Sequence, residues 1–154
     1  ALNALVSACE KGREWSQALQ CLNGLRIDAL EADVISLNAA VSACEKRGSW
    51  LSASRLLAEM RPSGLTPNVI THNAAVSSCE KASAWEQSIQ LVEGMLDRQL
   101  QPADITYNAL ISSCEKAMDW QRALALLTEM GSRRVAADVV SFNAALSACE
   151  KCRQ

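Results

Sequence analysis

Five asparagines, Asn3, Asn38, Asn73, Asn108 and Asn143, stand at equal steps of 35 residues. A carboxamide carries an acceptor oxygen and an NH2 donor group. Such a row can hydrogen-bond an outside partner. It can also bridge neighbouring helices, in which case a buried ladder would use one amide identically in each copy. A second row keeps the same step: Cys-Glu-Lys recurs at 9–11, 44–46, 79–81, 114–116 and 149–151. It supplies the cations Lys11, Lys46, Lys81, Lys116 and Lys151, each preceded by a glutamate. All four tryptophans, Trp15, Trp50, Trp85 and Trp120, share one phase of the repeat. Catalysis has little to work with. His72 is the single histidine, so no nucleophile–His–acid set can be assembled. No glycine-rich phosphate loop appears, and the Glu-Lys pairs recur too regularly to mark one active site. One Cys-x-x-Cys pair occurs, Cys149-Glu150-Lys151-Cys152, and no second pair joins it, which argues against zinc. The chain reads as a non-enzyme with no cofactor or metal.

The elements that position these rows follow from the apolar spacing. In the unit 34–68, Leu37, Ala40, Val41 and Cys44 form a stripe at three- and four-residue steps, which predicts a helix over 35–47. Gly48 breaks it. Trp50, Ala53, Leu56, Leu57 and Met60 form a second stripe, and Pro62, Gly64 and Pro67 mark the turn out. Trp85, Ser88, Leu91, Val92 and Met95, then Trp120, Ala123, Leu126, Leu127 and Met130, repeat the second stripe. Asp33, Asn68 and Asp138 are placed to cap the first helix of the following unit, because a side-chain oxygen accepts from free amides at a helix N-terminus. The tryptophans read as internal packing anchors. His72 shares its slot with Leu37, Tyr107 and Phe142 and reads as a packed ring. One helix pair cannot bury both stripes, whereas stacked pairs can. The expected fold is therefore all-α: an α-solenoid of tandem 35-residue helix-turn-helix repeats, with more than about 70% helix given short connections. Its units are a partial repeat at 1–33, repeats at 34–68, 69–103 and 104–138, and a partial repeat at 139–154.

Composition sets further bounds. At 49% hydrophobic residues, the 154-residue chain can fill a packed interior. No apolar run reaches the roughly 18 residues of a membrane span, so no membrane insertion is expected. Five of the seven cysteines, Cys9, Cys44, Cys79, Cys114 and Cys149, follow the repeat. Equivalent sites on stacked helices lie about 8–10 Å apart, beyond the roughly 4.4–6.8 Å between Cα atoms that a disulfide needs. They read as small buried hydrophobes in a reducing compartment.

The chain resembles the pentatricopeptide repeat family. The likeness lies in Asp33-Val34-Ile35-Ser36-Leu37-Asn38, in Pro67-Asn68-Val69-Ile70-Thr71-His72-Asn73, and in Ile105-Thr106-Tyr107-Asn108-Ala109-Leu110-Ile111-Ser112. It continues in the Ala-Leu-x-Leu-Leu-x-Glu-Met run at 123–130. The Asn-Ala-Ala-x-Ser-Ala-Cys-Glu-Lys version with its fixed Trp is similar to the large repeat sets of dinoflagellates and related protists. The resemblance implies a right-handed superhelix that reads single-stranded RNA, about one base per repeat.

It also implies roles. Base recognition would fall to Asn3 with Asp33, Asn38 with Asn68, Asn73 with Ala103, and Asn108 with Asp138, with Asn143 opening the next pair. In the family, Asn with Asp favours uracil and Asn with Asn favours cytosine, so the implied partner is pyrimidine-preferring single-stranded RNA. Ile35, Ile70, Ile105 and Val140 would sandwich the bases. Lys11, Lys46, Lys81, Lys116 and Lys151 would contact phosphates, the alternative for that row being ordinary solvated charge. The family also implies an organelle, mitochondrion or plastid. Three features depart from the pattern. The net charge is −2, whereas RNA binders usually carry a basic patch. A glutamate sits beside every proposed phosphate contact. Ala103 breaks the pair of the middle unit. The second reading is accordingly a protein-binding scaffold, a peripheral subunit of an organellar ribosome or a photosynthetic or respiratory complex.

Overall fold

The structure is a computed structural model that describes residues 34–60, 62 and 64–152. Among the described residues the chain forms seven α-helices and no strand. In chain order these are α1 (Val34–Arg47), α2 (Trp50–Met60), α3 (Val69–Lys81), α4 (Trp85–Asp97), α5 (Asp104–Lys116), α6 (Trp120–Ser132) and α7 (Val139–Lys151). Asn3, Asp33, Lys11, Trp15, Cys9 and Cys21 lie outside the described residues.

The first helices of successive pairs, α1, α3, α5 and α7, pack side by side in one row. Each second helix packs against its own first helix and against the next one, and the second helices stand apart from one another. The apolar stripes explain this layering. Val41, Cys44, Val76, Cys79, Leu110, Ile111 and Cys114 are buried on the first helices, and Met60, Met95 and Met130 are buried on the second. Each large apolar side chain buried this way contributes roughly 1.5–3 kcal/mol. The small-residue slot of the second helix holds Ala53, Ser88 and Ala123, all fully buried. Ser88 satisfies its hydroxyl within the interior, 3.3 Å from the carbonyl of Ala84 and 3.4 Å from Ser113 Oγ.

Among the described residues the cysteines of the row are free thiols; Cys44, Cys79 and Cys114 are buried, and burial pushes each of these thiols up to about 11. His72 is a buried ring whose Nδ1 lies 3.0 Å from the carbonyl of Asn68. Tyr107 fills the same slot one unit later, and its hydroxyl donates to Glu129 Oε1 at 3.0 Å. Burial first, then that carboxylate, pushes the phenol up to about 12. Phe142 holds this slot on α7, where no second helix follows among the described residues, and it is half-exposed.

The tryptophans depart from the reading as internal anchors. Trp50 and Trp85 are half-buried and Trp120 is exposed. The cause is position. Each is the first residue of a second helix, so its indole lies at the open edge between pairs instead of within the sandwich. Trp85 is covered there by the next pair, the Arg122 guanidinium lying 4.2 Å from the ring centroid. Such a contact adds about 0.5–1 kcal/mol at an exposed site.

Both turns of the unit use a left-handed residue. Gly48, Ser83 and Met118 have φ of 66°, 56° and 57°, and Gly64, Gln99 and Arg134 have 72°, 59° and 58°. Each such residue reverses the chain while the next amide closes on a carbonyl in the last helical turn. Examples are Ser49 N on Cys44 O at 3.0 Å and Asp119 N on Cys114 O at 2.9 Å. These bonds satisfy carbonyls that a helix C-terminus would otherwise leave open.

Candidate functional site

The row of first helices brings the sequence-selected residues onto one side of the molecule. Ile35, Ile70, Ile105 and Val140 are the second residues of α1, α3, α5 and α7. They are 65%, 67%, 59% and 57% exposed. Single exposed aliphatics are ordinary. A β-branched aliphatic left in water at the same place in all four first helices is a repeated surface feature. Three residues on, one helical turn away, stand Asn38, Asn73 and Asn108, half-buried, and Asn143, exposed.

The asparagines bridge adjacent pairs in the same way at every described junction. Thr71 Oγ1 donates to Asn38 Oδ1. Thr106 Oγ1 donates to Asn73 Oδ1 at 2.6 Å. Ser141 Oγ donates to Asn108 Oδ1. The donor is always the fully buried hydroxyl in the first turn of the next first helix. The amide oxygen is thereby engaged, which leaves the NH2 group as the donor end of each side chain.

The residues paired with the asparagines are helix caps. Asn68 Oδ1 accepts from Thr71 N at 3.0 Å, and Thr71 Oγ1 accepts from Asn68 N at 3.1 Å, closing a capping box on α3. Asp138 does the same on α7, accepting from Ser141 N at 2.9 Å while Ser141 Oγ accepts from Asp138 N at 3.2 Å. Asp138 also lies 3.3 Å by either oxygen from Asn108 Nδ2. The Ser141 backbone amide, followed by the Ser141 and Asn108 side chains, holds its carboxyl below the usual range against a smaller opposing effect of burial. Ala103 has no side-chain acceptor. Only the half-box remains at α5, with Ala103 N donating to Thr106 Oγ1 at 3.1 Å. Asp104 does not take over the cap; its Oδ1 accepts from Ile105 N at 2.8 Å.

The lysine row is paired between repeats. Lys81 Nζ lies 3.6 Å from Glu45, Lys116 Nζ 3.1 Å from Glu80, and Lys151 Nζ 2.8 Å from Glu115. Each lysine reaches the glutamate of the preceding unit. Ser112 Oγ and Ser147 Oγ donate to the same carboxylates of Glu80 and Glu115, at 2.9 and 2.7 Å. For Glu115, burial opposes ionisation, and Lys151, Ser147 and Lys116 outweigh it to hold the carboxyl low. The row is thus a chain of ion pairs. Lys46 is exposed.

Sequence reasoning assigned no role to the hydroxyl row. A signal was present, since Ser36, Thr71, Thr106 and Ser141 keep a hydroxyl residue two positions before Asn38, Asn73, Asn108 and Asn143. Among the described residues no cluster of three or more His, Cys, Asp or Glu could hold a metal ion. No described helix is long and apolar enough to cross a membrane.

The pentatricopeptide repeat domain pattern matches residues 20–81, and the PPR repeat family pattern matches residues 102–151. The chain belongs to the pentatricopeptide repeat family. No curated protein is significantly similar in sequence. Among solved structures of the family, the crystal structure of PPR10 in complex with an 18-nt psaJ RNA element is similar with a TM-score of 0.82 at 24% identity. That match covers 98% of this chain and 22% of PPR10. The PPR domain of Arabidopsis thaliana protein-only RNase P 1, in complex with tRNA, gives 0.83 at 18% identity over 98% of this chain and 82% of that one. PPR10 from maize gives 0.75 at 23% identity, over 99% of this chain and 22% of PPR10. The shared feature is the fold, and the chain spans about a fifth of PPR10.

Proposed function

We propose that the first-helix face binds single-stranded RNA, about one base per helix pair, as an adaptor in organellar RNA metabolism. The observation that carries this reading is the register of Ile35, Ile70, Ile105 and Val140 with the asparagine row. An exposed aliphatic offers one wall of a slot for a flat base. One turn on, an oriented amide donor meets acceptors on the base edge. Asn108 with Asp138 suits uracil, whose N3–H can approach a carboxylate acceptor. Asn38 with Asn68 suits cytosine or uracil, and Asn73 with Ala103 leaves the base unspecified. With Asn3 and Asp33 added, the preference along the chain is uracil, cytosine or uracil, any base, uracil, running 5′ to 3′ with the N-to-C direction. Lys81, Lys116 and Lys151 contact phosphates by exchanging their glutamates for the backbone.

The test is fluorescence anisotropy of the chain with short RNA panels, single-stranded and duplex, at low salt. Single-strand binding with a uracil preference at the Asp138 module is expected, and Asp138→Asn should move that preference toward cytosine. Failure to bind any pyrimidine-rich single strand overturns the reading. It would favour the second one, a protein scaffold, which draws on a specific observation: Lys81, Lys116 and Lys151 of the ladder are ion-paired on a chain of net charge −2, so the electrostatic drive toward a polyanion is small.

A further inference from the structure

We infer that the buried first-turn hydroxyls, Thr71, Thr106 and Ser141, are positioning residues that set which edge of the preceding repeat's asparagine faces the base, so that each reading amide is completed by the next repeat. This deepens the RNA reading and rests on it.

A carboxamide has two edges of similar shape and opposite polarity, and rotation about its last torsion exchanges them. A free asparagine can therefore offer an acceptor or a donor to the same base. The junctions remove that freedom. Ser141 Oγ accepts from the Asp138 backbone amide, which directs its single proton elsewhere, and Asn108 Oδ1 is the acceptor in place. On the opposite edge, Asn108 Nδ2 faces the Asp138 carboxylate, which can only accept. Both ends of the amide thus agree on one orientation. At the Ala103 junction the carboxylate is missing, and Thr106 alone holds Asn73, at 2.6 Å. Thr106 has no competing side-chain acceptor at its cap. Thr71 and Ser141 do, with Asn68 Oδ1 at 2.9 Å and Asp138 Oδ1 at 3.0 Å. The hydroxyl consequently matters most for Asn73, where nothing else is shown fixing the amide.

The hydroxyls never reach the base themselves, being fully buried. Their effect on RNA passes through the asparagine. Losing the hydroxyl also removes half of a capping box, so a fall in melting temperature alone does not distinguish the two roles. Base discrimination does.

The experiment compares the parent chain with Thr106→Val, Ser141→Ala and Ser141→Thr. Circular dichroism first confirms the helical fold of each variant. Anisotropy then measures binding to RNAs that differ only at the residue facing Asn73 or Asn108, with an abasic residue included at the Asn73 position, where the Ala103 pair leaves the base unspecified. Thr106→Val should lower the preference for a base over the abasic residue at the Asn73 position by roughly five- to tenfold, the worth of one oriented hydrogen bond. Ser141→Ala should lower base discrimination at Asn108 by less, because Asp138 still holds Nδ2. Ser141→Thr should restore it, and binding preferences at the other positions should stay unchanged. An unaltered preference for a base over the abasic residue at Asn73 in a folded Thr106→Val overturns the inference. Should the parent bind no RNA, the function reading fails first. The positioning half is then decided by NMR of the Asn73 side-chain amide. Movement of both N–H shifts in Thr106→Val toward those of a freely rotating asparagine side chain, against dispersed shifts in the parent, supports it; identical spectra overturn it.

Discussion

The junction between α3 and α5 and the junction between α5 and α7 share one backbone plan and differ at the cap, Ala103 against Asp138, with Thr106 in the place of Ser141. At the second, Asp138 caps α7, faces the Asn108 amide and shares the Ser141 hydroxyl. At the first, Ala103 does none of these. Yet the Asn73–Thr106 bridge is formed at 2.6 Å, and the helices pack alike. Packing and the hydroxyl bridge hold the solenoid together without the cap, so the capping position is free to vary. A position that caps a helix and, in the proposed RNA reading, also meets the base can give up both tasks without loss of fold.

Exchanging the two side chains gives the largest expected effect. Ala103→Asp should complete the capping box on α5, stabilise the chain by about 1 kcal/mol, and give the Asn73 module a uracil preference. Asp138→Ala should do the reverse at α7. Urea denaturation and the RNA panels read both. If Ala103→Asp leaves stability unchanged, the contrast between the junctions is not one of capping. Acid sharpens the same contrast. The Asp138 carboxyl is held below the usual range by its folded partners. Its contribution is therefore present above the ordinary carboxylate range and lost as pH falls through the depressed folded value. Asp138→Asn, which keeps an acceptor without a titration, should flatten the acid limb of a melting-temperature profile.

A smaller effect separates the ion pairs at these junctions. Glu80 holds Lys116 across the first and Glu115 holds Lys151 across the second, the latter more closely, at 2.8 Å against 3.1 Å. Partly exposed pairs of this kind are worth at most about 1 kcal/mol to stability. Their larger consequence is for a polyanion. Glu80→Gln and Glu115→Gln should each tighten RNA binding and steepen the log–log salt dependence by about 0.7, one further phosphate contact apiece. Glu115→Gln should have the larger effect on affinity. Unchanged salt slopes in both variants would mean that these lysines do not meet phosphates.

The helical pairs were legible because apolar spacing and the 35-residue step both survive every substitution in the chain. The caps at Asn68 and Asp138 were legible for the same chemical reason that makes them caps. The tryptophans were misread because regular recurrence resembles a core signal, whereas Trp85 recurs at an edge that the next repeat covers with Arg122. The ion pairs of the lysines were not legible, because sequence shows only the glutamate beside each lysine. The pairing runs from Lys116 to Glu80, one repeat back, and depends on how the units stack. The hydroxyl bridge was hidden likewise: Thr106 meets Asn73 across 33 residues, a contact that periodicity alone does not separate from a local cap.

The smallest effect lies in the turns that follow α3 and α5, where Ser83 and Met118 adopt the left-handed conformation that Gly48 holds one and two units earlier. A side chain there places Cβ near the following carbonyl oxygen and costs roughly 1–2 kcal/mol, while glycine costs more backbone entropy on folding. Met118 is 62% exposed, so its side chain returns little by burial. Its carbonyl, which accepts from Cys152 Sγ at 2.8 Å, belongs to the backbone and survives substitution. Met118→Gly should therefore stabilise the chain by about 0.5 kcal/mol as the net of these terms. Gly48→Ala should destabilise it by more, because φ is 66° there and an added Cβ would sit 3.1 Å from Lys81 Cβ. Paired urea titrations decide. Opposite signs for the two variants would show that the turn is imposed by stacking and merely tolerated by Met118. A loss of stability in Met118→Gly would show instead that the methionine packs across the edge between repeats and earns its place there.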